Sequence, residues 1–542
     1  GRIAAPARGH PLFAHLEPMV VQVGARHEGG VFHPKVWLLR FAGEGTAVYR
    51  FLCLSRNLTP DRSWDTLLSL EGPLEDRSRA FARNHPLGDF IAALPGLARR
   101  VVPDRARAEV ERMAAEVRRV RFAPPAPFDE GEAEIEFCPL GLETSRRLPF
   151  GDRLDRMLIV SPFLSPGLLE ELVEAAEDAP HLLVSRAEEL DDVSPMVLQQ
   201  FGEVHVLAER AAEEEQDAPA VAVDDEDPPT GPDASGLHAK LFIIESGRDA
   251  TVWTGSANAT HAAFRLNVEF LVGLRAKKSR VGIDEFLGPG EEAGFRSLLE
   301  PYPVGKEAKE SDPTAEANEQ RIESVRRALA AADLRFVVGQ GSAAGTYDLA
   351  LVGDVSRIEW AGVQARCWPV TLPVSFAHDL EVLAREGRVT FDGRSLEALT
   401  SFVALDVSAG QGTARRAIRF VLQVPLEGAP TDRLDVLLRA VLQNRERLLR
   451  YLLFLLAREL GSAGSAGGSA SDVSFGSDAS PSAPVPLFEE LVRACARSPE
   501  RLKAVAALVD DLRKTPEGAA LLPEGFDAVW KPIWDASQGS RP

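Results

Sequence analysis

The fold is decided by two short stretches, Phe32-His33-Pro34-Lys35-Val36-Trp37 and Leu237-His238-Ala239-Lys240-Leu241-Phe242. The first is followed by Leu54-Ser55-Arg56-Asn57-Leu58-Thr59 and then by Trp64-Asp65. The second is followed by Gly255-Ser256-Ala257-Asn258-Ala259-Thr260 and then by Val268-Glu269-Phe270. The order is the same in both: HxK on an expected strand, a hairpin partner ending in SxN, and an acid on the next strand. His to Asn spans 24 residues in the first copy and 20 in the second, and a turn at Gly43-Glu44-Gly45 absorbs the excess. A lone HxK carries little information, but two copies with the same sequel define a repeated half-site.

The residue types fit phosphate chemistry. Residues i and i+2 of an extended chain share a face, so His33 with Lys35 and His238 with Lys240 can converge on one phosphate. Lysine supplies a point charge for non-bridging oxygens, and Asn57 and Asn258 supply neutral donors beside it. Ser55 and Ser256 are supporting residues. A carboxylate can fix a histidine tautomer. Two histidines across a phosphate divide the work: one attacks phosphorus, and the other protonates the leaving oxygen and then activates water. With lysine and asparagine providing the charge stabilisation, the expectation is a site with no metal and no cofactor.

This arrangement resembles the phospholipase D superfamily, over about residues 18–300. The resemblance implies an α/β fold: a pseudo-twofold pair of α/β/α lobes, here followed by a mostly β accessory domain and C-terminal helices. It implies catalytic roles for His33, Lys35, Asn57, His238, Lys240 and Asn258. It also makes Asp65 and Glu269 the late acids that contact the catalytic histidines. Family habit favours His33 as nucleophile, whereas the residues themselves leave that choice open. Two departures fall in this pattern. The usual HxKxxxxD ends in Arg40 in the first copy and Glu245 in the second, and Leu54 precedes Ser55 where Gly is usual. The second copy is preceded by a full βαβ half-domain (155–207), but the first by barely thirty residues beginning at Gly1. The first lobe is therefore expected to be N-terminally incomplete.

Around these blocks the chain reads as residues 1–125, a first half-domain with an Arg-rich helical segment, and 126–302, a second half-domain. An acidic, proline-containing insertion at 209–233 is too poor in apolar residues to pack. Next come a linker and helix (303–332) and a β-rich domain (333–460) ending in a long amphipathic helix from Asp432 to Leu460. A Gly/Ser linker (461–485) and a helical tail (486–542) complete the chain. The arginines of 77–121 are read as a solvated face, and His181, His205 and His261 as structural or surface residues.

The 542 residues carry a net charge of −20, which argues against a dedicated nonspecific DNA coater but not against an enzyme with a locally positive groove. Cys53, Cys138, Cys367 and Cys495 are scattered, without zinc-ligand spacing. No apolar run is long enough to span a bilayer, and no signal-peptide h-region follows the start, so a cytoplasmic protein without membrane insertion is expected. Among phosphodiesters the expectation is DNA. The model for that is the phospholipase D-like nucleases of prokaryotic anti-phage defence, with a protein partner such as a helicase or ATPase. A lipid-directed phospholipase D-type hydrolase and a noncatalytic nucleic-acid-binding scaffold are the alternatives.

Overall fold

The structure is a computed structural model. It describes residues 5–6, 10–27, 29–43, 46–57, 62–129, 134–142, 148–151, 154–208, 235–289, 294–305, 313–434, 436–437, 452, 456, 487–497, 499–513, 519, 522 and 525–539. The acidic insertion, the Gly/Ser linker and most of the expected helix at Asp432–Leu460 lie outside these residues. The chain is mixed α/β and divides into two compact units. One comprises residues 1–7, 18–322 and 409–420, and the other residues 8–17, 323–408 and 421–542.

Both half-sites belong to the first unit. Strands β1 (Val36–Ala42) and β2 (Ala47–Leu54) form the expected hairpin, with Val36 opposite Cys53. β3 (Arg62–Trp64) is short, and β4 (Leu67–Pro73) pairs with β2, giving a three-stranded antiparallel sheet in the order β1-β2-β4. Every second β2 residue from Ala47 to Cys53 is buried, the period-two pattern of a strand with one face in the core. Met19–Val23 forms no strand; only Val23 makes an isolated bridge, to Ala98. Helices α1 (His85–Ala93) and α2 (Asp104–Val117) cover this sheet. Arginines of the segments flanking these helices are tied to acids or carbonyls: Arg118 to Asp89, Arg77 and Arg121 to Glu75, and Arg83 to the Phe122 carbonyl.

The second half is built on an eight-stranded sheet. Its strands are β5 (Glu134–Leu140), β6 (Arg156–Val160), β7 (Leu182–Val184), β8 (Glu203–Leu207), β10 (Leu241–Ser246), β11 (Asp249–Gly255), β12 (Glu269–Lys277) and β13 (Leu299–Pro301). A further short strand, β9 (Ser235–Leu237), pairs outside it with β3. The sheet order is β13-β8-β7-β6-β10-β11-β12-β5, parallel from β6 through β8 and antiparallel from β6 through β10, β11, β12 and β5. β6 and β7 are almost wholly buried, as parallel strands covered on both faces must be. A phenylalanine cluster joins the halves: Phe51 of β2 meets Phe137 and Phe270 with ring centroids 5.5 Å apart in each case.

In the second unit, strands Arg335–Gln340, Tyr347–Val352 and Arg388–Arg394 form an antiparallel array. Leu349 and Leu351 are buried, as their alternation predicts. The helices Leu487–Arg497, Glu500–Arg513 and Phe526–Gly539 pack around Leu502, Val505, Val509 and Trp530. Glu17 and Arg433 make a buried ion pair in this unit. Among the described residues no helix is long and apolar enough to cross a membrane. Cys53 and Cys367 are buried, Cys138 and Cys495 are half-buried, and none is in a disulfide.

Candidate functional site

The HxK segments are not strand interiors, contrary to expectation. Phe32 bridges Val268 in parallel and β1 starts only at Val36, so His33–Lys35 is an extended connection between two pairings. His238–Lys240 likewise connects β9, which pairs with β3, to β10. The physical reason is a change of partner. Just before each histidine the chain pairs with the acid-bearing segment of the other half. Just after each lysine it pairs with its own. The backbone records this twice, as His33 N donates to the Val268 carbonyl at 2.9 Å and His238 N to the Trp64 carbonyl at 2.9 Å.

Val268 and Trp64 immediately precede Glu269 and Asp65, so each acid is delivered to the histidine of the opposite half. His33 Nδ1–H donates to Glu269 at 2.9 and 3.1 Å. Glu269 has no exposed surface and is further held by Ser256 Oγ at 2.5 Å and Asn267 Nδ2 at 3.1 Å. The reciprocal contact is looser: His238 Nδ1 lies 3.7 Å from Asp65, which is one-third exposed. Asp65 accepts instead from Ser55 Oγ at 3.3 Å and Arg56 Nη1 at 3.2 Å. The serines are matched scaffolding. Ser55 N donates to the Thr66 carbonyl (3.0 Å) and its Oγ accepts from Thr66 N (2.8 Å); Ser256 does the same with Phe270, at 2.9 Å each.

The two lysines are buried. Lys35 Nζ donates to His33 Nε2 at 2.5 Å and to the His33 carbonyl at 3.0 Å; Lys240 Nζ donates to His238 Nδ1 at 3.1 Å and to the His238 carbonyl at 2.9 Å. Burial brings Lys35 down to about 8, partly offset by Glu269. Burial, and then the charge of Lys35, brings Lys240 down to about 7. Burial also pushes His238 down to about 3, helped by Lys240 and Arg56. These shifts share one physical origin: cations crowded in a desolvated place, where Glu269 and Asp65 offset only part of the cost. The hydrogen-bond network gives the histidines different tautomers. His33 carries its proton on Nδ1, facing Glu269, while His238 accepts at Nδ1 and carries its proton on Nε2.

The asparagines are less alike. Asn57 is exposed, whereas the Asn258 side-chain oxygen is buried without a partner. Turned over, that amide end offers N–H donors to a phosphate oxygen. Arg40 and Glu245, at the last position of HxKxxxxD in each copy, engage neighbouring helices. Arg40 Nε donates to Glu116 of α2 at 2.7 Å, and Glu245 accepts from Ile283 N at 3.0 Å and pairs with Lys278 at 2.6 Å. Each ties its strand to a neighbouring helix. Gly255, at φ +149, needs to be glycine because a Cβ would lie 2.1 Å from the Phe270 carbonyl oxygen; Leu54, at the matching place, buries its side chain in the core.

Sequence reading missed Asn267 and Arg186. Asn267 sits two residues before Glu269 and ties it to Val31 N at 3.1 Å, a same-face spacing that marks it in retrospect. Arg186 follows β7 and donates from Nε to the Leu237 carbonyl at 2.9 Å, and nothing in the sequence ties it to His238. His181 is structural: its Nδ1 accepts from Met157 N at 3.3 Å and its Nε2 bonds the Glu177 carbonyl at 3.0 Å. Among the described residues no group of three or more His, Cys, Asp and Glu is placed to hold a metal ion. No family model matches the chain, and no curated protein matches it at a significant level.

Proposed function

We propose that the chain is a phosphodiesterase of the phospholipase D type, with one active site built from two half-sites about a pseudo-twofold axis, and that its substrate is DNA. The observation that carries this reading is the exchange of acids. Glu269 of the second half serves His33 of the first, and Asp65 of the first half lies beside His238 of the second. The two HxK segments thereby belong to one site.

His33 is the nucleophile. Glu269 accepts a hydrogen bond from its Nδ1–H, and as Lys35 turns from Nε2 to a phosphate oxygen the Nε2 lone pair attacks phosphorus. The bond from phosphorus to the leaving oxygen breaks as the new P–N bond forms, and Glu269 balances the imidazolium charge. His238 protonates the leaving oxygen. It is neutral in the unliganded site, and the negative charge of a bound phosphodiester raises its proton affinity. His238 then takes a proton from water, whose oxygen attacks phosphorus. The P–N electron pair returns to Nε2. Lys35, Lys240 and Asn258 surround the non-bridging oxygens through both steps, where preorganised donors act most strongly. DNA as substrate, action in a multiprotein prokaryotic defence system and a helicase or ATPase partner rest on the resemblance alone.

The test is incubation of the full chain with labelled single- and double-stranded DNA in EDTA. Cleavage that survives chelation and disappears in both His33→Ala and His238→Ala is expected. Cleavage that persists in either variant contradicts the reading, as does DNA binding without turnover.

A further inference from the structure

An aromatic ring stands exposed at the edge of this site on a backbone that is firmly held. Phe163 follows β6 and Arg186 follows β7, two adjacent parallel strands. Ligand-contacting side chains of open α/β sheets gather at such carboxyl ends. The Phe163 ring is 39% exposed. Its loop is nevertheless fixed: Ser161 Oγ donates to the Phe163 carbonyl at 2.7 Å and accepts from Ala259 N at 2.9 Å, and Leu164 N donates to Glu189 at 2.9 Å. Those bonds anchor the loop to the residue after Asn258. The ring is therefore displayed, not left out by a loose segment.

Arg186 joins the ring to the chemistry. Its guanidinium carbon lies 5.2 Å from the centroid of Phe163, and its Nε is bonded to Leu237, the residue before His238. Its charge is felt by both His238 and Lys240. A flat apolar face backed by a cation that is itself bonded to the residue before His238 suits a polymer that alternates phosphates with flat aromatic groups. A diacylglycerol chain has no such face to lay on the ring. Aromatic platforms of this kind accept any base, because every base has a π-face.

We propose that Phe163, backed by Arg186, is a stacking step for the base beside the scissile phosphate, and that the site takes nucleic acid as a single strand. This rests on the phosphodiesterase reading above. A paired base is already stacked in its duplex, so only an unpaired or extruded one can settle on the ring.

The experiment uses the full chain in EDTA with single-stranded oligonucleotides, in which one abasic residue is stepped along the sequence. Phe163→Ala is expected to raise KM for the fully based oligonucleotide by roughly 5- to 150-fold, with kcat changed little. Phe163→Trp should keep the wild-type KM. One abasic position should cost the wild type the same factor and cost Phe163→Ala nothing more. Equal losses on based and abasic substrates, or an unchanged KM, overturn the stacking step while leaving the phosphodiesterase reading intact. If the wild type cleaves none of the oligonucleotides, the nuclease reading itself falls and takes this proposal with it.

Discussion

Replacing Lys240 with methionine should destroy activity and stabilise the fold. Lys240 is fully buried, and its pKa is brought from 10.5 to about 7. Between those two pH values the unfolded chain binds a proton that the native chain does not, so native stability rises with pH across that window. The penalty is whole below about pH 7 and vanishes as pH approaches 10.5. At pH 7 the linkage relation makes it about 4 kcal/mol. Methionine keeps the unbranched stem and removes the ammonium. It also removes the donor to the His238 carbonyl at 2.9 Å and to His238 Nδ1 at 3.1 Å, which together cost about 1–2 kcal/mol. The net expectation is about 2–3 kcal/mol of stabilisation near neutral pH, or a rise of roughly 5 °C in Tm. Calorimetry of wild type and Lys240→Met near pH 7 and near pH 10 measures it. The variant should melt higher near neutrality, and the gap should close at the alkaline end. A variant that melts lower near pH 7, or a gap that does not change with pH, refutes the placement of Lys240 as a buried cation whose desolvation Glu269 and Asp65 offset only in part.

Glu269→Gln should lower kcat by about 100-fold or more, because the imidazolium formed at His33 loses its balancing charge; Asp65→Asn, acting at 3.7 Å from His238, should cost less, and single-turnover rates of the two variants compare them. In the free protein kcat/KM should fall as pH rises through about 7 to 8, as Lys240 and then Lys35 lose their protons, and Lys240→Arg should move that limb to higher pH in a pH–rate profile. Arg40→Ala should cost about 1–2 kcal/mol in denaturant unfolding by breaking the Arg40–Glu116 pair, while leaving kcat unchanged. Gly255→Ala should destabilise by about 2 kcal/mol or more, since a Cβ there meets a carbonyl oxygen on β12.

The half-sites were legible because their chemistry is local. HxK, SxN and the late acid each lie within a few residues, and the β1–β2 and β10–β11 hairpins follow from alternation. The exchange of strand partners at His33 and His238 was not legible. A period-two pattern says which face a residue occupies, not which strand lies beside it, so both HxK segments read as strand interiors. Arg40 illustrates the same limit. In the sequence it is only a departure from HxKxxxxD, and its partner Glu116 comes from α2, a long-range contact that spacing cannot reveal. The different settings of Asp65 and Glu269 were also hidden. They depend on Arg56, which engages Asp65, and on Asn267, which engages Glu269.

The central claim is that His33, held by the acid of the other half, makes a covalent bond to phosphorus. It is tested most directly in His238→Ala with a nucleotide p-nitrophenyl phosphodiester, whose leaving group needs no proton. Without His238 to activate water the intermediate should accumulate, giving a burst of nitrophenolate equal to the amount of protein. Mass spectrometry under mildly alkaline conditions should then place the phosphoryl group on His33. An adduct on His238 in the wild type, or undiminished turnover in His33→Ala, contradicts the account.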